Sequence, residues 1–262
     1  MPKITVIIGT ASKKYTLSAV NQFLDNLKSL GNIETEIVVL SDYTIDICRG
    51  CKACFEKGEE FCPMKDDRDV IVGKMIASDG VVFASPNYAF QVSGFMKVFL
   101  DRIAFIFHRP RFFGKTFTSI VAQGIYGGGK IVSYFDFVGN SLGFNTIQGL
   151  CLTALEPMSE NEKRTRDKKL ADLSRKFYRE LIKAEYPSPT LFKLMGFRMG
   201  RTSIRLELDE TSRDYTYYRD KGWFESDYYY PTRLNFMMKA IGKFFDTIQA
   251  RMTRKRITLH ED

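Results

Sequence analysis

Long hydrophobic runs are missing from this chain of 262 residues. A membrane-spanning helix needs about 20 consecutive apolar residues, whereas the apolar run at residues 4–8 ends at once at Gly9. We therefore expect no membrane-spanning helix and no signal peptide, and we expect the protein to be cytoplasmic. The hydrophobic fraction of 44% is that of a folded globular protein and excludes a disordered chain.

Two nucleotide-binding motifs are also missing. The loop at residues 9–18 reads GTASKKYTLS, which contains neither the dinucleotide-binding Gly-x-Gly-x-x-Gly pattern nor the second glycine of a Walker A loop. It does place hydroxyl groups and lysines just before a helix N-terminus, where backbone N–H groups and the helix dipole favour an anion. From its residues alone the loop predicts either a Ser/Thr-rich helix cap or a phosphate site. The candidate phosphate ligands are Thr10, Ser12, Lys13, Thr16 and Ser18.

Short β-branched runs alternate with helical patterns over the first part of the chain. The expected strands cover residues 4–8, 36–40, 80–84, 117–122 and 146–152, and the expected helices cover 18–30, 70–77, 93–103, 131–142 and 164–183. This alternation predicts an α/β fold, a doubly wound, five-stranded parallel sheet with helices on both faces. Ligands of such sheets bind at the carboxyl ends of the strands. The pattern breaks near Tyr186, so we expect one domain at residues 1–185 and a mostly helical extension at 186–262.

Two further loops follow expected strands. Residues 85–102 read SPNYAFQVSGFMKVFLDR, which sets a Pro-x-Tyr turn at a strand end before a Lys-x-Phe-x-Asp-Arg helix, and residues 123–129 read QGIYGGG. In this order, the three loops resemble those of the NAD(P)H-dependent FMN reductase and flavodoxin-like family. The resemblance covers roughly residues 1–180, and it departs from the family at Ser12 and Lys13, where an arginine is common.

The resemblance implies a flavodoxin-like fold that binds FMN. It implies contacts to the flavin ring from the turn and from the glycine-bearing loop, by Pro86, Asn87, Tyr88, Ala89, Phe90, Gln123, Gly124, Tyr126, Gly127 and Gly128. It also implies an NAD(P)H-dependent oxidoreductase that passes electrons to a flavin, a quinone or another small acceptor. No catalytic side chain is expected, because neither His108 nor His260 falls in a candidate flavin loop.

Four of the five cysteines are clustered, and they are Cys48, Cys51, Cys54 and Cys62. Their spacing, Cys-x2-Cys-x2-Cys-x7-Cys-Pro, shares its opening and its terminal Cys-Pro with ferredoxin-type [4Fe–4S] runs. It also resembles the iron–sulfur flavoproteins of the same family. Structural zinc and a cluster-free set of thiols or disulfides are the alternatives. A cluster would favour a second function, that of an electron carrier between redox partners such as a ferredoxin-like carrier.

The extension is aromatic and basic. Residues 215–231 contain the only tryptophan and predict a flavin lid, a dimer seam or a membrane-interface segment. Between residues 234 and 252, apolar side chains then recur on one helical face, with basic residues mostly elsewhere. We expect this helix to dock on its own domain or on a second copy in a dimer or tetramer, with peripheral contact to an anionic membrane as the alternative. No DNA- or RNA-reading motif accompanies the charge, which argues against nucleic acid.

Overall fold

The computed structural model describes residues 1–12, 14–183 and 185–261. It contains a parallel sheet of strands β1 (Lys3–Ile8), β2 (Glu34–Val39), β3 (Gly80–Pro86), β4 (Thr116–Gln123), β5 (Asn145–Thr146) and β6 (Leu150–Thr153). The strand order is β2-β1-β3-β4-β5, and β6 also pairs with β4. Because β5 and β6 pair with the two ends of β4, they form one strand position that is interrupted at residues 147–149. This order confirms the predicted flavodoxin-like, five-stranded sheet.

Ten helices connect the strands or follow them in the described part of the chain. They are α1 (Tyr15–Leu30), α2 (Ala53–Glu56), α3 (Arg68–Ile76), α4 (Gly94–Arg102), α5 (Phe105–His108), α6 (Gly128–Leu142), α7 (Glu160–Lys183), α8 (Leu191–Glu207), α9 (Arg213–Asp220) and α10 (Phe236–Glu261). Within the described residues, no helix combines the length and the apolar character needed to cross a membrane.

The two faces of the sheet are covered by different helices. Val82 and Ala84 of β3 belong to the core that α1 and α7 complete, where Phe23 meets Phe177 edge to face at 5.6 Å between ring centroids. Phe83, between them in sequence, points to the other face and contacts the rings of α4 and α6, with Phe135 at 5.9 Å. β3 is buried along its whole length. A strand buried on both faces is what its unbroken apolar run predicts.

The chain forms two compact units. The first comprises Met1–Arg49 and Met64–Glu185 and contains the sheet, and the second comprises Gly50–Pro63 and Tyr186–Asp262. The sequence places residues 50–63 in the FMN-binding domain, whereas the structure groups them with the extension. The reason is that α2, which lies in this segment, packs against α9.

The aromatic run forms the core of the second unit. The indole of Trp223 lies edge to face against Tyr218 and Tyr229, with ring centroids 4.9 and 4.7 Å apart, and its Nε1 donates a hydrogen bond of 2.9 Å to the Tyr229 carbonyl oxygen. Phe197 of α8 packs on the ring of Tyr229 at 4.5 Å. Burial raises the pKa of Tyr229 to about 12. These side chains are therefore structural within their own unit.

Candidate functional site

The first loop leaves β1 through a tight contact with the start of α4. The Gly9 N–H donates to the Ala84 carbonyl at 2.8 Å, and the Ser93 hydroxyl donates to the Gly9 carbonyl. A Cβ at Gly9 would lie 2.7 Å from the Cβ of Met96 and 2.8 Å from the Ser93 Oγ. Only glycine therefore allows this approach.

The N-terminus of α1 is a candidate anion site. Among the described residues, the first helical hydrogen bond runs from the Ser18 N–H to the Lys14 carbonyl, and no side chain there caps the helix. The earlier N–H groups of the first turn are the ones that an anion can bind. This favours the phosphate site over the Ser/Thr-rich cap.

The predicted phosphate ligands take different positions around that N-terminus. Thr10 and Thr16 are buried, and the Thr10 Oγ1 accepts the Ser12 N–H at 3.1 Å. Ser12 and Ser18 are exposed, Ser18 one turn into the helix. Lys13 lies outside the described residues.

The second loop is a tight turn in an uncommon backbone conformation. Tyr88 and Gln91 exchange backbone hydrogen bonds of 3.1 and 3.0 Å. Between them, Ala89 and Phe90 have φ values of 49° and 62°. Two successive left-handed residues without glycine store conformational strain, which concentrates at functional sites. The turn leaves the rings of Tyr88 and Phe90 each 56% exposed at the carboxyl end of β3.

Asn87 joins this turn to the third loop. Its N–H donates to the Ala122 carbonyl at 2.7 Å, and its Nδ2 donates to the Tyr126 carbonyl at 3.0 Å. Its Oδ1 is buried and has no hydrogen-bond partner among the described residues. A buried acceptor without a partner costs about 1–3 kcal/mol, so this oxygen is suited to receive a donor from a bound group.

The third loop fits closely against the second. Gly127 has φ +95°, and a Cβ there would lie 2.7 Å from the Cδ1 of Phe90. The rings of Phe90 and Tyr126 lie 5.3 Å apart at 36°. The Gly128 N–H donates to the Gln123 Oε1 at 2.7 Å, whereas Gly124 faces open space. The structure thus brings the predicted residues of these two loops together.

A cavity of about 610 Å³ opens beside the first and second loops. Its size is in the range of cofactor pockets. Thr10, Ser12 and Tyr88 were predicted site residues and line it. The sequence interpretation missed several other lining residues. They are Leu40, Tyr43 and Ile45, which follow β2, and Phe95 and Val98 of α4. The position of residues 40–45 after a strand end was the signal that could have found them.

The clustered cysteines are divided between the two units of the chain. Cys48 belongs to the first unit, and Cys51, Cys54 and Cys62 belong to the second. Among the side chains that the structure describes, no group of three or more His, Cys, Asp or Glu residues could hold a metal ion. The four cysteines are divided between the two units, and their predicted role as ligands of a [4Fe–4S] cluster stays a prediction.

A buried ion pair holds both ends of the cysteine segment where it leaves the first unit. The Asp66 carboxylate accepts from the Arg102 guanidinium, and the two side chains are 2% and 1% exposed. Asp66 also accepts the Asp46 N–H at 2.9 Å, and Arg102 donates to the Asp46 carbonyl at 2.9 Å. Burial alone raises the pKa of Asp66, but these hydrogen bonds outweigh it and hold the pKa below its ordinary value of 3.8.

Comparison with known proteins agrees with this geometry. The sequence model of the NADPH-dependent FMN reductase family matches residues 2–154. Two iron–sulfur flavoproteins of Archaeoglobus fulgidus are 32% and 35% identical, each over 54% of this chain and over 69% and 65% of their own length. The crystal structure of RosB with a bound intermediate, 8-demethyl-8-formylriboflavin-5'-phosphate, superimposes with a TM-score of 0.55 at 15% identity, over 90% of this chain and 92% of that one. That likeness concerns the fold. The chain belongs to the NADPH-dependent FMN reductase family and is an FMN-dependent oxidoreductase of that family.

Proposed function

We propose that this protein transfers electrons from NAD(P)H, through FMN, to a flavin, a quinone or another small acceptor. The observation that carries the proposal is the junction of loops at the carboxyl ends of β1, β3 and β4. Ser93 ties the first loop to α4, and Asn87 ties the second loop to the third. When bound, FMN supplies the redox chemistry, because its ring accepts a hydride and returns electrons to an acceptor.

The residues of the chain would bind and orient that cofactor. The N-terminus of α1, with Thr10 and Ser12, would hold the phosphate. The turn at residues 86–90 and the loop at 123–128 would hold the ring, with the exposed faces of Tyr88 and Tyr126 beside it. The Asn87 Oδ1 would accept a hydrogen bond from a polar N–H of the ring.

Steady-state oxidation of NADH and NADPH by the FMN-loaded protein tests this function. We expect turnover that depends on added FMN, quinone or another small acceptor, with one nicotinamide preferred. If photoreduced protein reduces a ferredoxin but no small acceptor supports turnover, the protein is an electron carrier instead.

The substitution Gly9→Ala should weaken FMN binding about ten- to a hundredfold. The new Cβ cannot fit beside Met96 Cβ without a shift of the first loop or of α4, and overpacking of this kind costs about 1–3 kcal/mol. Fluorescence titration with FMN measures the effect. Gly73→Ala on α3 is the matched control, because its Cβ meets nothing within 4 Å and should leave FMN binding unchanged. Equal affinity of the two variants would show that the first loop does not hold FMN.

A second candidate function is that of an iron–sulfur electron carrier. Two observations favour it. The four cysteines have the spacing described above, and the chain is similar to two iron–sulfur flavoproteins of Archaeoglobus fulgidus. An iron and sulfide assay of anaerobically purified protein tests it. About four iron atoms per chain, lost in Cys51→Ser, would support a [4Fe–4S] cluster, and iron-free protein with full FMN would leave only the reductase function.

A small-molecule acceptor and a homo-oligomer, either a dimer or a tetramer, complete the proposal. Light scattering of the FMN-loaded protein measures the oligomeric state, and a monomer at micromolar concentration would contradict this part.

A further inference from the structure

Helix α10 turns a polar stripe toward α8. Asp246 accepts hydrogen bonds from Arg198 at 2.9 Å and from Arg201 at 2.7 Å, both of them buried guanidinium groups. One and two turns further along, Gln249 donates to Ser203 at 2.9 Å and Thr253 donates to Glu207 at 2.9 Å. Ion pairs and hydrogen bonds therefore join the two helices along three turns of α10.

The same helix directs large apolar side chains outward. Phe236 is 88% exposed, Met237 66%, Phe244 61% and Met252 58%. A helix that docks on its own domain normally buries such residues and exposes its charges. In α10 these four apolar side chains are exposed as well, so the outward face is suited to an apolar partner beyond the residues that the structure describes.

The start of α8 extends this apolar surface. Arg198 of α8 pairs with Asp246 of α10, and Glu207, further along α8, pairs with Thr253, further along α10. The helices therefore run parallel, and both begin at the same end of the pair. There α8 exposes Leu191 by 50% and Phe192 by 66%. Two helix N-termini thus present aromatic and aliphatic side chains side by side.

Basic residues accompany the apolar ones. Lys239, Lys243 and Arg251 of α10 are exposed. The segment from residue 236 to 261 contains six Lys or Arg and two acidic residues, one of which, Asp246, is engaged by α8. Lys239 forms an ion pair with Asp227, with 3.5 Å between the Lys239 Nζ and the Asp227 Oδ2, and both side chains are about half exposed. Exposed ion pairs of this kind contribute about 0–1 kcal/mol, so Lys239 is available to an anionic partner. The outward face is therefore positively charged as well as apolar.

We propose that this face binds the surface of an anionic lipid bilayer. The apolar side chains of Leu191, Phe192, Phe236, Met237 and Phe244 would enter the headgroup region, while the lysines and arginines contact lipid phosphates. Charge decides between lipid and a second copy of the chain. A symmetric dimer through this face would bring the two sets of basic residues together, at an electrostatic cost, whereas an anionic membrane attracts both sets. The proposal does not depend on the redox function above.

Co-sedimentation of the FMN-loaded full chain with vesicles tests this inference. We expect binding to vesicles of phosphatidylcholine with 30% phosphatidylglycerol (roughly a cytoplasmic surface charge) and little binding to pure phosphatidylcholine. Lys239→Glu/Lys243→Glu should weaken the partition coefficient by at least about tenfold. The double substitution Phe236→Ser/Phe244→Ser should also weaken the partition coefficient. This loss should persist in low salt, since the substitution removes apolar area and leaves the charges unchanged. Both double variants should keep their FMN content and Trp223 fluorescence, because the changed side chains are exposed.

Two matched controls come from the first unit. Phe137→Ser removes an equally exposed phenyl ring from α6, and Lys168→Glu reverses an exposed charge on α7. Neither should change vesicle binding. Equal binding of wild type and both α10 variants would overturn the proposal. A dimer in light scattering that Phe236→Ser/Phe244→Ser converts to a monomer, without vesicle binding by the wild type, would assign the face to a second copy.

Discussion

Asp66→Asn should lower the free energy of unfolding by about 3–5 kcal/mol at pH 7, because it removes the negative charge from a buried ion pair with the Arg102 guanidinium. Urea unfolding followed by circular dichroism measures this loss. The matched control is Asp101→Asn on α4, the helix that contains Arg102. It breaks an exposed pair with Lys97, whose side chains are 47% and 54% exposed, and should cost no more than about 1 kcal/mol.

The pH dependence of the Asp66→Asn effect follows from the lowered pKa. A carboxyl whose pKa is lower in the folded state stabilises the fold above the pKa that it has when unfolded, near 3.8. This stabilisation is lost as the pH falls through the folded pKa. The difference between wild type and Asp66→Asn should therefore be constant between about pH 6 and 8 and should shrink below about pH 4. A difference that grows on acidification would contradict this account of the ion pair.

Trp223→Ala should destabilise the second unit by about 3–5 kcal/mol, since it removes a buried indole that three aromatic contacts and a hydrogen bond hold in place. Near-ultraviolet circular dichroism in urea follows the surrounding tyrosines and measures the shift. Phe244→Ala removes an aromatic ring that is 61% exposed and should change the stability by less than about 0.5 kcal/mol. Equal effects of the two substitutions would mean that residues 215–230 do not form a core.

The sheet and the positions of its loops were predictable because their signals are local. Each strand is a short apolar run, and the ligand loops of a parallel sheet follow the carboxyl ends of its strands by geometry. The interruption between β5 and β6 was not predictable from the apolar pattern of residues 146–152. There Gly149 approaches Ser119 of β4 so closely that a Cβ would lie 2.0 Å from the Ser119 Oγ. This contact links distant parts of the chain.

The second unit was harder to predict for the same reason. The apolar period of α10 predicts a docked helix, but it does not predict that Asp246 pairs with Arg198 and Arg201 on a helix more than forty residues away. Ion pairs of this kind leave no periodic signal in the sequence. Likewise, the contact of α2 with α9 draws residues 50–63 out of the predicted first domain. Tertiary pairing therefore overrides local pattern in both places.

The central claim is that the loops after β1, β3 and β4 bind FMN, with its phosphate at the N-terminus of α1. Parallel titrations of the apoprotein with FMN and with riboflavin test this most directly, because the two ligands share the ring and differ in the phosphate. We expect FMN to bind at least about tenfold more tightly, since hydrogen bonds to a charged group contribute about 1.5–3 kcal/mol. Equal affinities, or no binding of either ligand, would contradict the account.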